Sequence, residues 1–231
     1  MADQIDDYPQ RHAADTGAEV ARIAVSVVPF GGSVSRLFDL VFTPSIEKRR
    51  SRWFDELADL VAQLSADQVT PSQLSDDDEW ISAVDKASRV ALGTHLDEKI
   101  AMLKALLRRY ALAVDRDEFA VSRFIRLVDE LEPIHFGLLR LSREPMAWAS
   151  RDTLDRAIQQ RVENLDDVLR VFGIETDQPT AVAAVRDLED KWLVKMPTEP
   201  NGDWFSHNLL AGEPWILATG REFLEWVEAF E

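Results

Sequence analysis

Apolar residues recur every three or four positions along most of the chain, which is the spacing of one buried face on an α-helix. The clearest stripe comprises Ile46, Trp53, Phe54, Leu57, Leu60, Val61 and Leu64. Comparable stripes recur as far as Phe230, near the end of the 231-residue chain. The pattern predicts a mainly α fold, in which the Trp53 and Phe54 side chains are largely buried.

Breaks in this pattern mark where helices end. Gly93 interrupts one stripe, and Thr94 and Asp97 then have the spacing of a helix cap and its third residue, so the chain either kinks at Gly93 or begins a new helix. Near the C-terminus, Thr219 and Glu222 fit a capping box for the last helix.

These breaks divide the chain into four parts. We expect a mobile acidic tail over residues 1–19, a multi-helix bundle over 20–149, a single connecting helix within 150–176 and a small module over 177–231. In that module "LVKMP" and "EPWILAT" have the composition of two short strands between two helices. This order predicts a winged-helix-like C-terminal module.

The most apolar stretch, "IAVSVVPFGGSVSRLFDLVF", begins at Ile23. A membrane-spanning helix needs about 20 consecutive apolar residues. Here Pro29, Gly31 and Gly32 split the run, and Arg36 and Asp39 place charges in its second half. The stretch is therefore interpreted as two amphipathic helices packed on the bundle, with Pro29, Gly31 and Gly32 as a hinge.

A membrane-inserting hairpin is the alternative for this stretch, because a basic cluster follows it. The cluster consists of Lys48, Arg49, Arg50 and Arg52, and basic residues of this kind flank inserted segments. It would contact anionic lipid or an acidic protein surface, such as the chain's own C-terminal part. The simpler interpretation is a solvated helix face.

Composition restricts the classes of partner and the cellular location. The formal net charge of −16 argues against nucleic acid as the main partner, because such binding requires neutralising phosphates. The chain has no cysteine, which excludes disulfides, thiolate metal sites and cysteine nucleophiles and fits a reducing cytoplasm. The acidic N-terminal residues do not have the pattern of an export signal. A cytoplasmic location is predicted.

The candidate chemistry is sparse. Glu132 and His135 have the Glu-x-x-His spacing of di-iron bundles, and His95 and Glu98 could add ligands from another helix. A second Glu-x-x-His motif is missing, so we predict no metal and no cofactor. There is no serine nucleophile elbow, phosphate-binding glycine loop or HExxH motif. A non-enzymatic protein is predicted, with a hydrolase or metalloenzyme as the alternative.

DNA binding would be suggested by a winged-helix order alone, but the charges argue against it. The segment "TAVAAVRDLEDKWL", which would enter the major groove, carries Asp187, Glu189 and Asp190 against Arg186 and Lys191. A recognition helix needs basic charge and groups that read base edges. We predict that this module does not bind DNA specifically.

Five segments together carry a resemblance to a known family: "PFGG", "EKRRSRWFDELADLV", "THLDEKIAMLKALL", "RDLEDKWLV" and "ATGREFLEWV". The chain resembles the abortive infection alpha family of bacterial phage-resistance proteins over most of residues 20–231. It departs from a Thr-x-x-Gly-x-x-Phe-like ending, because Thr219 and Gly220 are adjacent. The resemblance implies an all-helical fold and a phage-defence context, and it carries over no catalytic residue.

The predicted function is a non-enzymatic bacterial interaction protein of phage defence. It would act through a protein partner or through conditional membrane contact of residues 20–52. The alternative is a soluble regulatory or adaptor protein with no membrane role. The identity of the partner, the trigger and any homo-oligomer stay open.

Overall fold

The computed structural model describes residues 43–113, 116–160, 165–195 and 214–228. Within these residues the chain forms ten α-helices and one short 3₁₀ turn, Pro145–Ala147. The prediction of a mainly α fold is confirmed. The predicted tail over 1–19 and the hinge residues Pro29, Gly31 and Gly32 lie outside the described residues.

The helices are numbered here in chain order. They are α1 Thr43–Ala66, α2 Pro71–Ser75, α3 Asp78–Gly93, α4 Asp97–Leu112, α5 Glu118–Glu130, α6 Pro133–Arg143, α7 Arg151–Gln159, α8 Leu165–Val171, α9 Gln178–Asp190 and α10 Ala218–Val227.

The described residues fall into two compact units, which divide between Asp129 and Glu130. The division lies 20 residues before the predicted break at 149–150. Its physical reason is the packing of α6, whose Phe136 ring stacks on Phe223 of α10 with the ring centroids 6.4 Å apart. Helix α6 therefore belongs with the C-terminal helices.

In the first unit, α1 packs against α3 and α4. The Trp53 Nε1–H donates to the Ser88 hydroxyl at 2.9 Å, and the Arg49 guanidinium donates to the Leu92 carbonyl at 3.3 Å. Residue numbers rise along α1 as they fall along α3, so these two helices are antiparallel. Tyr110, near the end of α4, hydrogen-bonds to Glu79, near the start of α3, so α4 is antiparallel to α3.

The α1 stripe is narrower than predicted. The Trp53 side chain is 0% exposed, so its predicted burial is confirmed. Phe54 is covered less completely than Trp53: its ring is half-buried, because it lies at the edge of the stripe with the Arg50 guanidinium 5.7 Å from its centroid. Ile46, at the start of the stripe, is 40% exposed.

The break after Gly93 is a new helix, since α3 ends at Gly93 and α4 begins at Asp97. The Thr94 hydroxyl accepts a hydrogen bond from the Leu96 backbone N–H at 3.1 Å, which orders the short connection. Of the two alternatives left open by the sequence, the kink is excluded.

The second unit joins α9 to α10 through a single antiparallel bridge between Val194 and Ile216. The Lys195 N–H donates to the Trp215 carbonyl at 3.1 Å. The described parts of the two segments predicted as strands, residues 193–195 and 214–217, therefore lie side by side, although they form only this isolated bridge. Residues 196–213, which connect them, lie outside the described part.

Gly220 allows α10 to approach this bridge closely. A Cβ atom at this position would lie 2.2 Å from the Leu193 carbonyl oxygen, and the same oxygen accepts the Leu217 N–H at 3.0 Å. The predicted capping box of Thr219 and Glu222 is wrong, because α10 already begins at Ala218 with Leu217 as its N-cap residue.

The predicted connecting helix appears as two described helices, α7 and α8, and residues 161–164 between them lie outside the described part. Helix α8 is followed by a Schellman turn, in which Gly173 adopts a φ of 77°. The Ile174 N–H there donates to the Leu169 carbonyl at 3.0 Å.

Replacing Trp53 tests the packing of α1. We expect Trp53→Ala to lower the free energy of unfolding by about 3–5 kcal/mol, because it removes a fully buried indole. Phe54→Ala, the adjacent control at a half-buried position, should cost about 1 kcal/mol. Urea denaturation measures both values. Equal losses for the two variants would contradict the orientation of α1.

Candidate functional site: the groove between α1 and α4

A groove of about 730 Å³ lies between α1 and α4 in the first unit. Its lining on α1 comprises Arg52, Glu56, Leu60, Gln63 and Ala66, with Asp67 just after the helix, and on α4 it comprises Asp97, Ile100, Ala101, Lys104, Ala105 and Arg108. Concave surfaces of this size are the usual places for ligands and for anchor side chains of partners.

Three ion pairs connect the two walls of the groove. Arg52 binds Asp97 at 2.6 Å, and Arg108 binds Asp67 at 2.8 Å. Between them along the chain, Lys104 binds Glu56. From one ion pair to the next, the residue numbers increase in the same direction on both helices, so α1 and α4 are parallel.

The charges of this lining compensate one another. The bases are Arg52, Lys104 and Arg108, and the acids are Glu56, Asp67 and Asp97. Three positive and three negative charges leave a formal charge of zero. Partly exposed pairs of this kind each contribute only about 0–1 kcal/mol to stability. Their main effect is that the groove has no strong positive or negative electrostatic potential.

Small and apolar side chains form the rest of the lining. Leu60 is buried on α1, and Ile100 is buried on α4. Ala66, Ala101 and Ala105 have only a methyl group where a larger side chain would fill the space. The groove therefore offers shape and apolar contact, which suits an inserted side chain or a helix ridge.

The predicted basic cluster lies at one end of this groove, and its arginines bind within the first unit. Arg49 donates to the carbonyls of the last two residues of α3, Leu92 at 3.3 Å and Gly93 at 3.4 Å. This places positive charge at the negative end of a helix dipole. Arg50 pairs with Glu47 at 3.8 Å.

Of the four cluster residues, Arg52 lines the groove. Lys48 is exposed, and no ion pair is found for it among the described residues. Contact of this cluster with a partner or with lipid stays a prediction.

The Glu-x-x-His spacing at Glu132 is explained by the start of α6. The His135 Nδ1 atom accepts a hydrogen bond from the Glu132 backbone N–H at 2.9 Å, and Nε2 lies 3.5 Å from an Asp187 oxygen. Because its Nδ1 atom accepts this N–H, the His135 side chain helps to cap the start of α6. His95 is exposed and Glu98 is half-buried. No group of three or more potential metal ligands is found in the part of the chain that the structure describes.

A second polar cluster joins the start of α3 to the end of α4. Asp77 caps α3 by accepting the Trp80 N–H at 2.9 Å, and it also binds Arg116. Burial would raise the pKa of Asp77, but the hydrogen bonds from Arg116 and Trp80 outweigh it and lower this pKa below its usual value. The Arg116 guanidinium lies 5.3 Å from the centre of the Tyr110 ring.

Tyr110 has the most strongly shifted pKa in this cluster. Its hydroxyl donates to Glu79 at 3.0 Å. Burial and the hydrogen bond to the Glu79 carboxylate raise the pKa of Tyr110 to about 12. Shifted pKa values often mark functional sites, but these groups are engaged in capping a helix and in joining α3 to α4.

No described helix is both long and apolar enough to cross a membrane. The longest, α1, has 24 residues and carries the basic cluster near its start.

Comparison with known proteins adds no relative. No family model matches the chain, and neither a curated protein nor a solved structure is significantly similar to it. The resemblance to the abortive infection alpha family therefore stays a proposal.

Titration of the two tyrosines tests the second polar cluster. The folded-state pKa of Tyr110, about 12, lies above the ordinary value of 10.0. Its stabilising effect is therefore fully present below pH 10 and is lost as the pH rises from 10 towards 12. In a spectrophotometric titration, one phenol should ionise late. Tyr110→Phe should remove this late step, and Glu79→Gln should shift it to lower pH. A wild-type titration that is complete near pH 10 while the chain stays folded would contradict the expectation.

Proposed function

We propose that this chain is a non-enzymatic interaction protein that binds a helical segment of a protein partner in the groove between α1 and α4. The observation that carries the proposal is the groove's lining, which combines buried apolar residues, alanines and charges that pair with one another. Such a lining favours recognition by shape.

The chemistry of the expected partner follows from this lining. A polyanion would need a surplus of positive charge, whereas the six charged groups sum to zero. An amphipathic helix can place an apolar ridge against the exposed methyl groups of Ala66 and Ala101 while its polar flanks meet the ion pairs that connect the two walls. The alanines Ala101 and Ala105 allow close approach of its backbone or of one large anchor side chain.

The biological context is proposed on the resemblance described above. A protein similar to the abortive infection alpha family would act in bacterial phage defence in the cytoplasm, through its partner and through conditional membrane contact of residues 20–52. The alternative is an adaptor with no membrane role. It is favoured by the engagement of Arg49 and Arg52 with α3 and α4, since charges bound there are less available to lipid.

For the C-terminal module we propose a winged-helix-like arrangement that binds protein. The bridge between Val194 and Ile216 supports it, because it places two extended segments side by side between α9 and α10. Asp187 and Asp190 are exposed on α9, and these carboxylates oppose contact with phosphates.

Filling the groove tests the proposed binding. We expect tagged Ala101→Trp, expressed in the native host, to recover the wild-type partner at least about tenfold less well, which corresponds to a loss of about 1.4 kcal/mol. The control is Ala62→Trp, an exposed position on α1 outside the groove lining. Mass spectrometry quantifies the recovered protein.

Both variants should retain the wild-type melting temperature, because both positions are exposed. Equal recovery of the partner by Ala101→Trp and by the wild type would overturn the proposal. Loss of the partner from Ala62→Trp as well would contradict it too, since binding would then depend on α1 outside the groove.

A further inference from the structure

The order of the charges along the two walls of the groove carries information, although their sum is zero. Each ion pair joins one charge on the α1 side to the opposite charge on α4, so the pairs define three levels along the groove. From the start of α1 onwards the levels are Arg52–Asp97, Glu56–Lys104 and Asp67–Arg108.

The two end levels are related by an approximate twofold symmetry. At each end an arginine binds an aspartate, but Arg52 lies on α1 whereas Arg108 lies on α4. The middle charge lies four residues from the arginine on both walls, Glu56 on α1 and Lys104 on α4, which is about 6 Å of helix. A bound helix that is turned end for end would therefore meet the same charges at both ends.

The middle level breaks this symmetry. Turning a bound helix end for end also exchanges the flank that faces α1 with the flank that faces α4. A basic residue that lay beside Glu56 would then lie beside Lys104, and its acidic counterpart would lie beside Glu56. Two attractive contacts would become two repulsive ones. Among the charged residues that line the groove, Glu56 and Lys104 are thus the pair that distinguishes the two directions.

A bound helix can reach this middle pair. The Lys104 side chain is 23% exposed and the Glu56 side chain is 30% exposed. An ammonium group has three N–H donors and a carboxylate accepts several hydrogen bonds, so their mutual contact does not exhaust either group. Ala101 is exposed in the groove and lies three residues before Lys104, on the same side of α4. A helix seated on Ala101 therefore lies beside the pair.

We propose that the Glu56–Lys104 pair fixes the direction of the helix bound in the groove. The partner helix carries a basic residue on the flank that faces α1 and an acidic residue on the flank that faces α4, both at this middle level. This inference rests on the proposed binding of a helix in the groove, and it adds the charge pattern and the direction of that helix. Recognition by shape alone would accept an amphipathic helix in either direction.

Exchanging the two charges tests the proposal. Glu56→Lys with Lys104→Glu keeps an ion pair, the net charge and both end levels, but it reverses the middle level. The matched control is Lys86→Glu with Glu118→Lys, which exchanges an ion pair between α3 and α5 outside the groove lining. Both full-length variants should melt at the wild-type temperature, because each retains its ion pair.

The probes are two synthetic, helix-stabilised peptides of about 18 residues, which are about 27 Å long as helices. Both have an apolar ridge of alanine and leucine, the same composition, and end charges that fit the groove in either direction. They differ only at the middle level, where the lysine on one flank and the glutamate on the other are exchanged. The two peptides should therefore bind in opposite directions.

A single thiol reports the direction. The natural sequence has no cysteine, so Ala66→Cys, introduced in every background, marks the Asp67 end of the groove. Each peptide is made with a cysteine at its N-terminus or at its C-terminus, and the rates of disulfide formation are compared. The end levels are about 22 Å apart along α1, so only the peptide end that lies near position 66 can form the bond.

In the wild-type background, each peptide should bridge through one terminus about tenfold faster than through the other, which corresponds to about 1.4 kcal/mol. The preferred terminus should differ between the two peptides. The exchange of Glu56 and Lys104 should invert both preferences, whereas the exchange of Lys86 and Glu118 should leave both unchanged.

The inference would be overturned by equal bridging through both termini or by preferences that survive the exchange of Glu56 and Lys104. Inversion by the control exchange would also contradict it. Adding Ala101→Trp to the reporter chain separates this inference from the proposed function. If Ala101→Trp slows bridging while the direction ignores the middle charges, the inference alone fails. If Ala101→Trp has no effect on bridging, binding of a helix in the groove fails as well.

Discussion

The burial of the α1 stripe against α3 and α4 is the interaction on which the rest of the first unit depends. The Trp53 indole is fully buried, and its N–H is satisfied by the Ser88 hydroxyl. A buried indole with its polar group bonded sets both the rotation of α1 and its position along α3. The parallel alignment with α4 and the ion pairs between Arg52 and Asp97 and between Arg108 and Asp67 are consistent with that single placement.

The candidate groove is a consequence of the same packing. Where α1 and α4 bury Leu60 and Ile100 between them, the adjacent surface carries alanines, and their small side chains leave open space. The charged residues that could fill this space reach across it and bind one another. The result is a concave surface with little net charge, and this is why partner recognition is proposed here in preference to chemistry.

Helical periodicity predicted the helices and the burial of Trp53, because both depend on residues within one segment. It did not predict that Phe54 and Ile46 would be less covered, since coverage depends on where neighbouring helices begin and end. Gly220 carried no signal of its role, because the Leu193 carbonyl is close to it only in the folded chain. At the candidate site, Arg52 was identified as part of a basic cluster, but its carboxylate partner lies 45 residues away, and alanines give no sequence signal of a groove.

Hydrogen–deuterium exchange of the full chain, with and without its recovered partner, tests the central claim most directly. Binding in the groove should slow exchange in residues 52–67 and 97–108 and leave α9 and α10 unchanged, because a bound helix restricts opening of the segments that it covers. Slowed exchange confined to the unit from Glu130 to Glu228, with α1 and α4 unaffected, would contradict the account.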